Sequence, residues 1–215
     1  MWMLLVSFLC LVTVAGAQTS DGPYIMYQED GTVRMVSVTP EGRLVDTLLA
    51  SLPEDYGFTV VSSDQEHCFD VSLHPVERPD WKTEQPDRIF VTSDPHGNLE
   101  CFISLLQGNG VIDADCNWNF GANQLVVIGD VFDRGNDAVQ ILWLIYQLEA
   151  EAAQAGGRVD YLLGNHEPMV LMNDLRYAKP KYTQLADTLG MKYADLLSPS
   201  SELGRWLSVR NTMQM

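Results

Sequence analysis

The chain has 215 residues, 46% of them hydrophobic, enough for one packed domain or a small domain plus part of another. Its 29 acidic residues against 13 basic ones give a formal net charge of −16. Such a surface repels nucleic acid and anionic membrane, so neither is expected as a partner, and any phosphate site must make its own positive field, for which bound dications are suited.

Met1 to Ala17 is apolar, carries no charged side chain and ends Ala15-Gly16-Ala17, a small-x-small cleavage pattern. Residues 1–17 therefore read as an export signal. A short membrane anchor is the rival reading, at the lower limit of a bilayer span. Export puts the mature chain in the periplasm or outside the cell, with no membrane association once the signal is cut. It leaves Cys68, Cys101 and Cys116, an odd number. Pairing of Cys101 with Cys116 and three buried thiols both stay open.

Residues 18–86 read as a small β-rich extension. Pro23–Gln28 and Val33–Val38 flank Glu29-Asp30-Gly31, a hairpin signal. Phe58–Ser62 and Cys68–Leu73 look like a second pair, and Leu44 to Leu52 is expected as a short helix. His67 and His74 have no matching ligand set nearby and read as surface or edge histidines. Pro75, Pro79 and Pro86 punctuate a charged linker.

From residue 87 the pattern changes. Arg88–Thr92, Gln124–Ile128 and Val159–Leu163 are short apolar runs expected as strands. Helices are expected after the first, with Leu99, Phe102, Ile103 and Leu106 on one face, and over Asn136 to Ala155 before Gly156-Gly157. A last helix is expected near Ser201 to Val209. Strand, loop and helix in repetition predict an α/β fold whose ligand site lies where the carboxyl ends of parallel strands meet their loops.

Each strand runs into a segment rich in ligand and proton-transfer residues: Ser93-Asp94-Pro95-His96-Gly97-Asn98, Gly129-Asp130-Val131-Phe132-Asp133-Arg134-Gly135, and Gly164-Asn165-His166-Glu167. Carboxylate, imidazole and amide oxygen together suit two divalent ions, with Mn, Fe and Zn all acceptable. Asp94 and His96, two apart at an extended tip, reach one ion. The two oxygens of Asp130 serve one ion each, and Asn165 serves the second. Ions about 3.5–4 Å apart clamp a phosphoryl group and activate a water between them. Arg134 offers a planar fork to phosphate. His166 is placed to protonate the leaving oxygen, with Asp133 orienting it. Glu167 reads as support for the loop.

These segments resemble the Gly-Asp-x-His-Gly, Gly-Asp-x-x-Asp-Arg-Gly and Gly-Asn-His-Glu blocks of the calcineurin-like metallophosphoesterase superfamily. They look closest to the phosphoprotein-phosphatase-like branch, especially bacterial Shewanella-like phosphatases. The resemblance starts near Arg88 and leaves the extension outside it. It implies a metallophosphoesterase domain over 87–215, the N-terminal half of an α/β/β/α sandwich with a mixed sheet. It also implies a metal-dependent phosphatase acting on a phosphorylated protein or a small phosphomonoester. By that resemblance Asp94 and His96 bind the first metal, Asp130 bridges, Asn165 binds the second, Arg134 grips phosphate, and His166 with Asp133 is the acid pair. Ser93 replaces the usual first glycine. Leu163 stands where many eukaryotic Ser/Thr phosphatases carry a second phosphate-gripping arginine, so Arg134 and the metals carry more of the grip.

Two readings compete. Dinucleoside-polyphosphate hydrolases share the three blocks, and a metal-binding remnant or interaction module would also retain them. The family pattern continues with two histidine blocks on the second metal, and after His166 this sequence has no histidine. The chain therefore reads as a fragment truncated before those blocks, the rival being a short protein whose site a partner chain completes. Oligomeric state and substrate are open. A second ion held by Asp130 and Asn165 alone lacks nitrogen ligands, so little turnover is expected from the chain as written. Assaying it with manganese and an aryl phosphate, beside a form extended through both histidine blocks, checks this: robust turnover by the short form refutes it.

Overall fold

The computed structural model describes residues 8–13 and 19–215; the expected export signal lies mostly outside them. Within that segment, Phe8–Thr13 (β1) is a strand. No helix among the described residues is long and apolar enough to cross a membrane.

The N-terminal part holds two sheets. Asp21–Tyr27 (β2) and Val33–Val38 (β3) form the expected antiparallel hairpin, closed by Asp30, whose carboxylate accepts from the Thr32 N–H and hydroxyl. Arg43–Leu49 (β4) is a strand and not the expected helix. A turn in which the Gly42 N–H donates to the Thr39 carbonyl feeds it back along β3. Arg34 on β3 grips Asp46 on β4 with two bonds, at 2.9 and 2.7 Å. Leu44, Leu48 and Leu49 fit a helical face, but β-branched Val45 and Thr47 and this cross-strand partner favour pairing. The sheet order is β1-β4-β3-β2. Gly57–Val61 (β5) and Cys68–Ser72 (β6) form the second expected hairpin.

Ile89–Ser93 (β7), Gln124–Ile128 (β8) and Arg158–Leu162 (β9) build the three-stranded parallel sheet, in that order. Leu99–Gly108 (α1) follows β7, capped by the Asn98 side chain, which accepts the Cys101 N–H. Ala138–Gln154 (α2) joins β8 to β9. Short helices follow at His166–Leu171 (α3), Pro180–Leu189 (α4), Tyr193–Leu196 (α5) and Glu202–Ser208 (α6).

The sequence gives α2 one apolar face at Val139, Leu142, Trp143 and Tyr146. In the structure Ile141, Leu144, Ile145 and Leu148 are fully buried as well. The extension supplies the second cover. Phe58 meets Trp143 edge-on at 4.9 Å, the Ser72 N–H donates to Gln147, and the Trp143 indole donates to the Pro23 carbonyl. One continuous core thus joins the extension to the α/β part.

The far face of the sheet is open. Ile89, Val91 and Ile128 remain 43–53% exposed there, on alternate positions of one face, as expected of half a sandwich. Cys68 and Cys101 are exposed free thiols; Cys116 is buried and free, and burial first of all pushes its thiol up to about 11.

Buried charge also ties the extension down. Lys181 on α4 lies 3.3 Å from Asp21 and donates to the Ser20 carbonyl at 2.9 Å, with both charged residues under a tenth exposed. Replacing Lys181 with Met strands the Asp21 carboxylate and is expected to cost about 3–5 kcal/mol in denaturant unfolding. The Asp21→Asn, Lys181→Met double variant recovers part of that loss, and a single variant as stable as the parent would show that the pair does not hold the extension.

Candidate metal centre

Parallel pairing of β7, β8 and β9 brings all three strand tips to one edge, so the three motifs converge. The backbone there is unusual. Asp94 (φ 54°), His96 (42°), Asp130 (53°), Asp133 (71°) and Arg134 (64°) are left-handed, five of the eight such non-glycine residues among those described. Each costs about 1–3 kcal/mol unless its surroundings fix it. Main-chain bonds between motifs do so: Asp94 N–H to Gly129 O at 3.2 Å, His96 N–H to Asp130 O at 3.0 Å, and Asp137 N–H to Gly97 O at 3.0 Å.

Glycines permit that approach. A Cβ on Gly129 would overlap the backbone of Gly164, and one on Gly135 would overlap Gly97 and the His96 carbonyl. Two glycine pairs therefore interlock the second motif with the third and with the first.

Glu167 fastens the same junction. It is fully buried, and its carboxylate accepts from the backbone N–H of Asp130 (3.0 Å), Val131 (2.8 Å) and Gly164 (2.7 Å). Its expected loop-supporting place is the one it occupies. The His166 N–H donates to Asp130 Oδ1 at 2.9 Å, aiming that carboxylate across the junction.

The side chains follow. His96 Nδ1 lies 2.8 Å from the Phe132 carbonyl. A carbonyl only accepts, so Nδ1 carries the proton and Nε2 of the neutral ring is left with a free lone pair. Asp94 Oδ1 lies 3.7 Å from that Nε2. Ligand-capable atoms of His96, Asp130 and His166 all lie within 4.8 Å of one another. The His166 and His96 rings meet edge-on at 4.8 Å. His166 Nδ1 contacts Asp133 Oδ2 at 2.6 Å, both residues buried, and Asp133 Oδ1 is buried without a partner. Arg134 is exposed at the rim. Asn165, the N-cap of α3, is exposed and its side chain makes no capping bond.

The structure thus gathers Asp94, His96, Asp130, Asp133 and His166, with Asn165 and Arg134 at the edge. It also adds Tyr177, whose ring lies 5.7 Å from His166 and whose carbonyl accepts the Arg134 N–H at 3.0 Å. No motif flags Tyr177, because it comes from the α3–α4 loop. His67 and His74 stay outside the cluster. His74 stacks on Tyr146 at 3.9 Å, with Nε2 3.0 Å from the Tyr146 carbonyl, half-buried at the seam between extension and α2.

A parallel α/β sheet whose strand tips carry these blocks defines a metallophosphoesterase. Residues 87–210 match the calcineurin-like phosphoesterase family, and the chain belongs to it. It is 38% identical over 98 residues to Shewanella-like protein phosphatase 2 of Arabidopsis thaliana, covering 46% of this chain and 25% of that one. It is 31% identical over 118 residues to Shewanella-like protein phosphatase 1 of Plasmodium berghei, covering 54% and 32%. Among solved structures, the cold-active protein-tyrosine phosphatase of a psychrophilic Shewanella species superposes with a TM-score of 0.75 at 31% identity, over 89% of this chain and 57% of that one. A further structure of a cold-active protein tyrosine phosphatase gives a TM-score of 0.69 at 28% identity, over 91% and 56%. The chain spans 25–32% of the length of these two curated relatives. An 89% overlap exceeds what residues 87–215 can supply, so the structural likeness reaches well into the β-rich extension.

The Glu167 clasp makes a defined prediction. Glu167→Gln must turn an NH₂ toward at least one of the three backbone donors, at about 1–3 kcal/mol for each donor left unpaired. Thermal unfolding is expected to shift down, and manganese affinity to fall with it, because Asp130 sits between two of the clasped groups. Unchanged affinity and stability would show the clasp to be incidental.

Proposed function

We propose that this chain carries the metal- and phosphate-binding face of a divalent-metal-dependent phosphoester hydrolase, acting on phosphorylated proteins or small phosphomonoesters. The observation that carries the reading is the convergence of His96, Asp130 and His166, with Asp133 against the buried side of the imidazole.

The donor set fits a dication. His96 offers Nε2, its other nitrogen being held by Phe132. Asp94 lies beside it, and Asp130 gives one oxygen to the His166 N–H while its second oxygen takes no part in that bond. Oxygen and imidazole nitrogen together suit manganese, iron or zinc. Asp94, His96, Asp130 and Asn165 would hold the ions, two by the family resemblance. When bound, such ions lower the pKa of a coordinated water and offset phosphoryl charge.

The chain's own groups do the rest. Arg134, exposed beside the cluster, grips phosphate oxygens with its guanidinium fork. His166 holds its Nδ1 against Asp133, which leaves Nε2 to deliver a proton to the departing oxygen. Asp133 fixes the ring's orientation from below. Leu163 offers no second cation, so more of the phosphate grip falls to Arg134 and the metals. We assign the mature protein to the periplasm or the cell exterior, from the small-x-small ending of residues 1–17.

Metal content by mass spectrometry, with aryl phosphate turnover beside it, tests this reading. In a form extended through both histidine blocks, Asp130→Asn is expected to lose metal and turnover together. In the same form His166→Asn is expected to keep metal while kcat falls about 10²–10⁴-fold, the usual worth of a general acid. A chain that binds no metal, or binds it equally well without Asp130, is a remnant and the proposal fails.

A further inference from the structure

Two of the free thiols lie on segments that are pinned to one face of α2. At the end of β6 the Ser72 N–H donates to the Gln147 side-chain carbonyl at 2.9 Å, and the Gln147 amide donates to Glu151 at 2.8 Å. The other oxygen of Glu151 accepts the Trp118 N–H at 2.7 Å. Gln147 and Glu151 are four apart on the helix and share that face. Three hydrogen bonds in series thus run from β6, which begins at Cys68, to the α1–β8 loop, which carries Cys116. Cys116 is held at a fixed corner of that loop. The Asp113 N–H donates to the Asn117 carbonyl at 2.9 Å, the Cys116 N–H donates to the Asp113 carbonyl at 3.2 Å, and Asp113 Oδ1 accepts from the N–H groups of Asp115 and Asn117. Inside this turn Cys116 is left-handed at φ 65°, a conformation that its surroundings must impose. Cys116 is buried, whereas Cys68 is exposed. Burial first, then the Asp113 carboxylate and then the Cys68 sulfur push the Cys116 thiol up, so the two sulfurs are within electrostatic reach of each other. Cys101 stands off from the turn. Gln107 donates to the Asp113 carbonyl at 3.1 Å, which sets the loop at the C-terminal end of α1. Cys101 is in the first turn of α1, about 9 Å back along the helix axis. A disulfide spans Cα atoms only up to about 7 Å apart.

We propose that Cys68 and Cys116 form a disulfide site that staples the β-rich extension to the α/β part when the chain meets a small-molecule disulfide such as oxidised glutathione. The periplasm or cell exterior assigned to the mature chain supplies oxidants of that class. Cys68, the exposed member of the pair, takes the first step as its thiolate. It attacks one sulfur of the small disulfide, whose S–S bond breaks with the electron pair on the leaving sulfur, and that sulfur takes up a proton. Cys116 then loses its proton to solvent and attacks Cys68 Sγ. The mixed disulfide breaks with its electron pair on the second small thiolate, which is protonated in turn. Two protein thiols are oxidised to one disulfide, and one small disulfide is reduced to two thiols. Closing the loop from residue 68 to residue 116 removes conformational freedom from the unfolded chain. The bond also fastens the hairpin whose turn reaches Asp137 through Ser63.

Oxidised glutathione added to the full chain, followed by mass-spectrometric mapping of non-reduced peptides beside a dithiothreitol-treated sample, tests this. A peptide joining Cys68 to Cys116 is expected, with Cys101 still open to alkylation. The oxidised chain should melt about 10 °C higher than the reduced one and fall back when dithiothreitol is added. Cys68→Ser, at an exposed position, should fold as the parent does yet lose both the cross-link and the shift, whereas Cys101→Ser should keep both. Linkage of Cys116 to Cys101 or to Cys10 overturns the proposal, as does glutathione retained on Cys68 beside a free Cys116 thiol. A cross-linked chain that melts no higher than the reduced one shows a bond that does not staple, and overturns it as well. No metal and no turnover enter the measurement, so its outcome is independent of the hydrolase reading.

Discussion

The site depends on one buried carboxylate. Glu167 lies on the first turn of α3, yet two of the three N–H groups it accepts belong to the loop after β8. Backbone donors around a charged acceptor give short, strong bonds, and in a water-free junction they have no substitute. This clasp holds the two loops where Gly129 and Gly164 touch, a contact that any side chain would prevent. With the loops pinned, Asp130, Asp133 and Arg134 are held in left-handed conformations that they would otherwise leave. The geometry of the candidate site is therefore secured by a carboxylate spent wholly on backbone donors.

The second determinant is α2. Every residue from Ala138 to Tyr146 is buried, so α2 cannot lie on a sheet with its back to water. The β-rich segment resolves this by packing Phe58, Pro23 and the end of β6 against it. The consequence reaches the site. Ser63, in the β5–β6 turn, donates its N–H and hydroxyl to Asp137 at 2.6 and 2.8 Å. Asp137 is the N-cap of α2 and bonds through its own N–H to Gly97 of the first motif. The extension thus braces the segment that carries Arg134, and its inclusion in the likeness to the Shewanella structures has a mechanical reason.

Much of this was legible in the sequence because the motifs follow buried strands. Gln124–Ile128 is a continuous apolar run closed by Gly129, and its strand limits match the reading to the residue. The pairing of His166 with Asp133, and Glu167 in a supporting place, followed from residue chemistry alone. What escaped was set by tertiary partners. Leu44–Leu52 has helical spacing, and only the partner strand with Arg34 turns it into β4. The extension read as separate because the second apolar face of α2 gives no hint of what covers it. Tyr177 lies in a loop without periodicity, and nothing local announces that the loop folds back over Arg134.

Charge explains why cations suit this strand edge. Asp94, Asp130 and Asp133 lie at one strand edge of a protein with a net charge of −16, so cations there relieve repulsion among the carboxylates and attract phosphate at once. That attraction is blind to what phosphate is attached to.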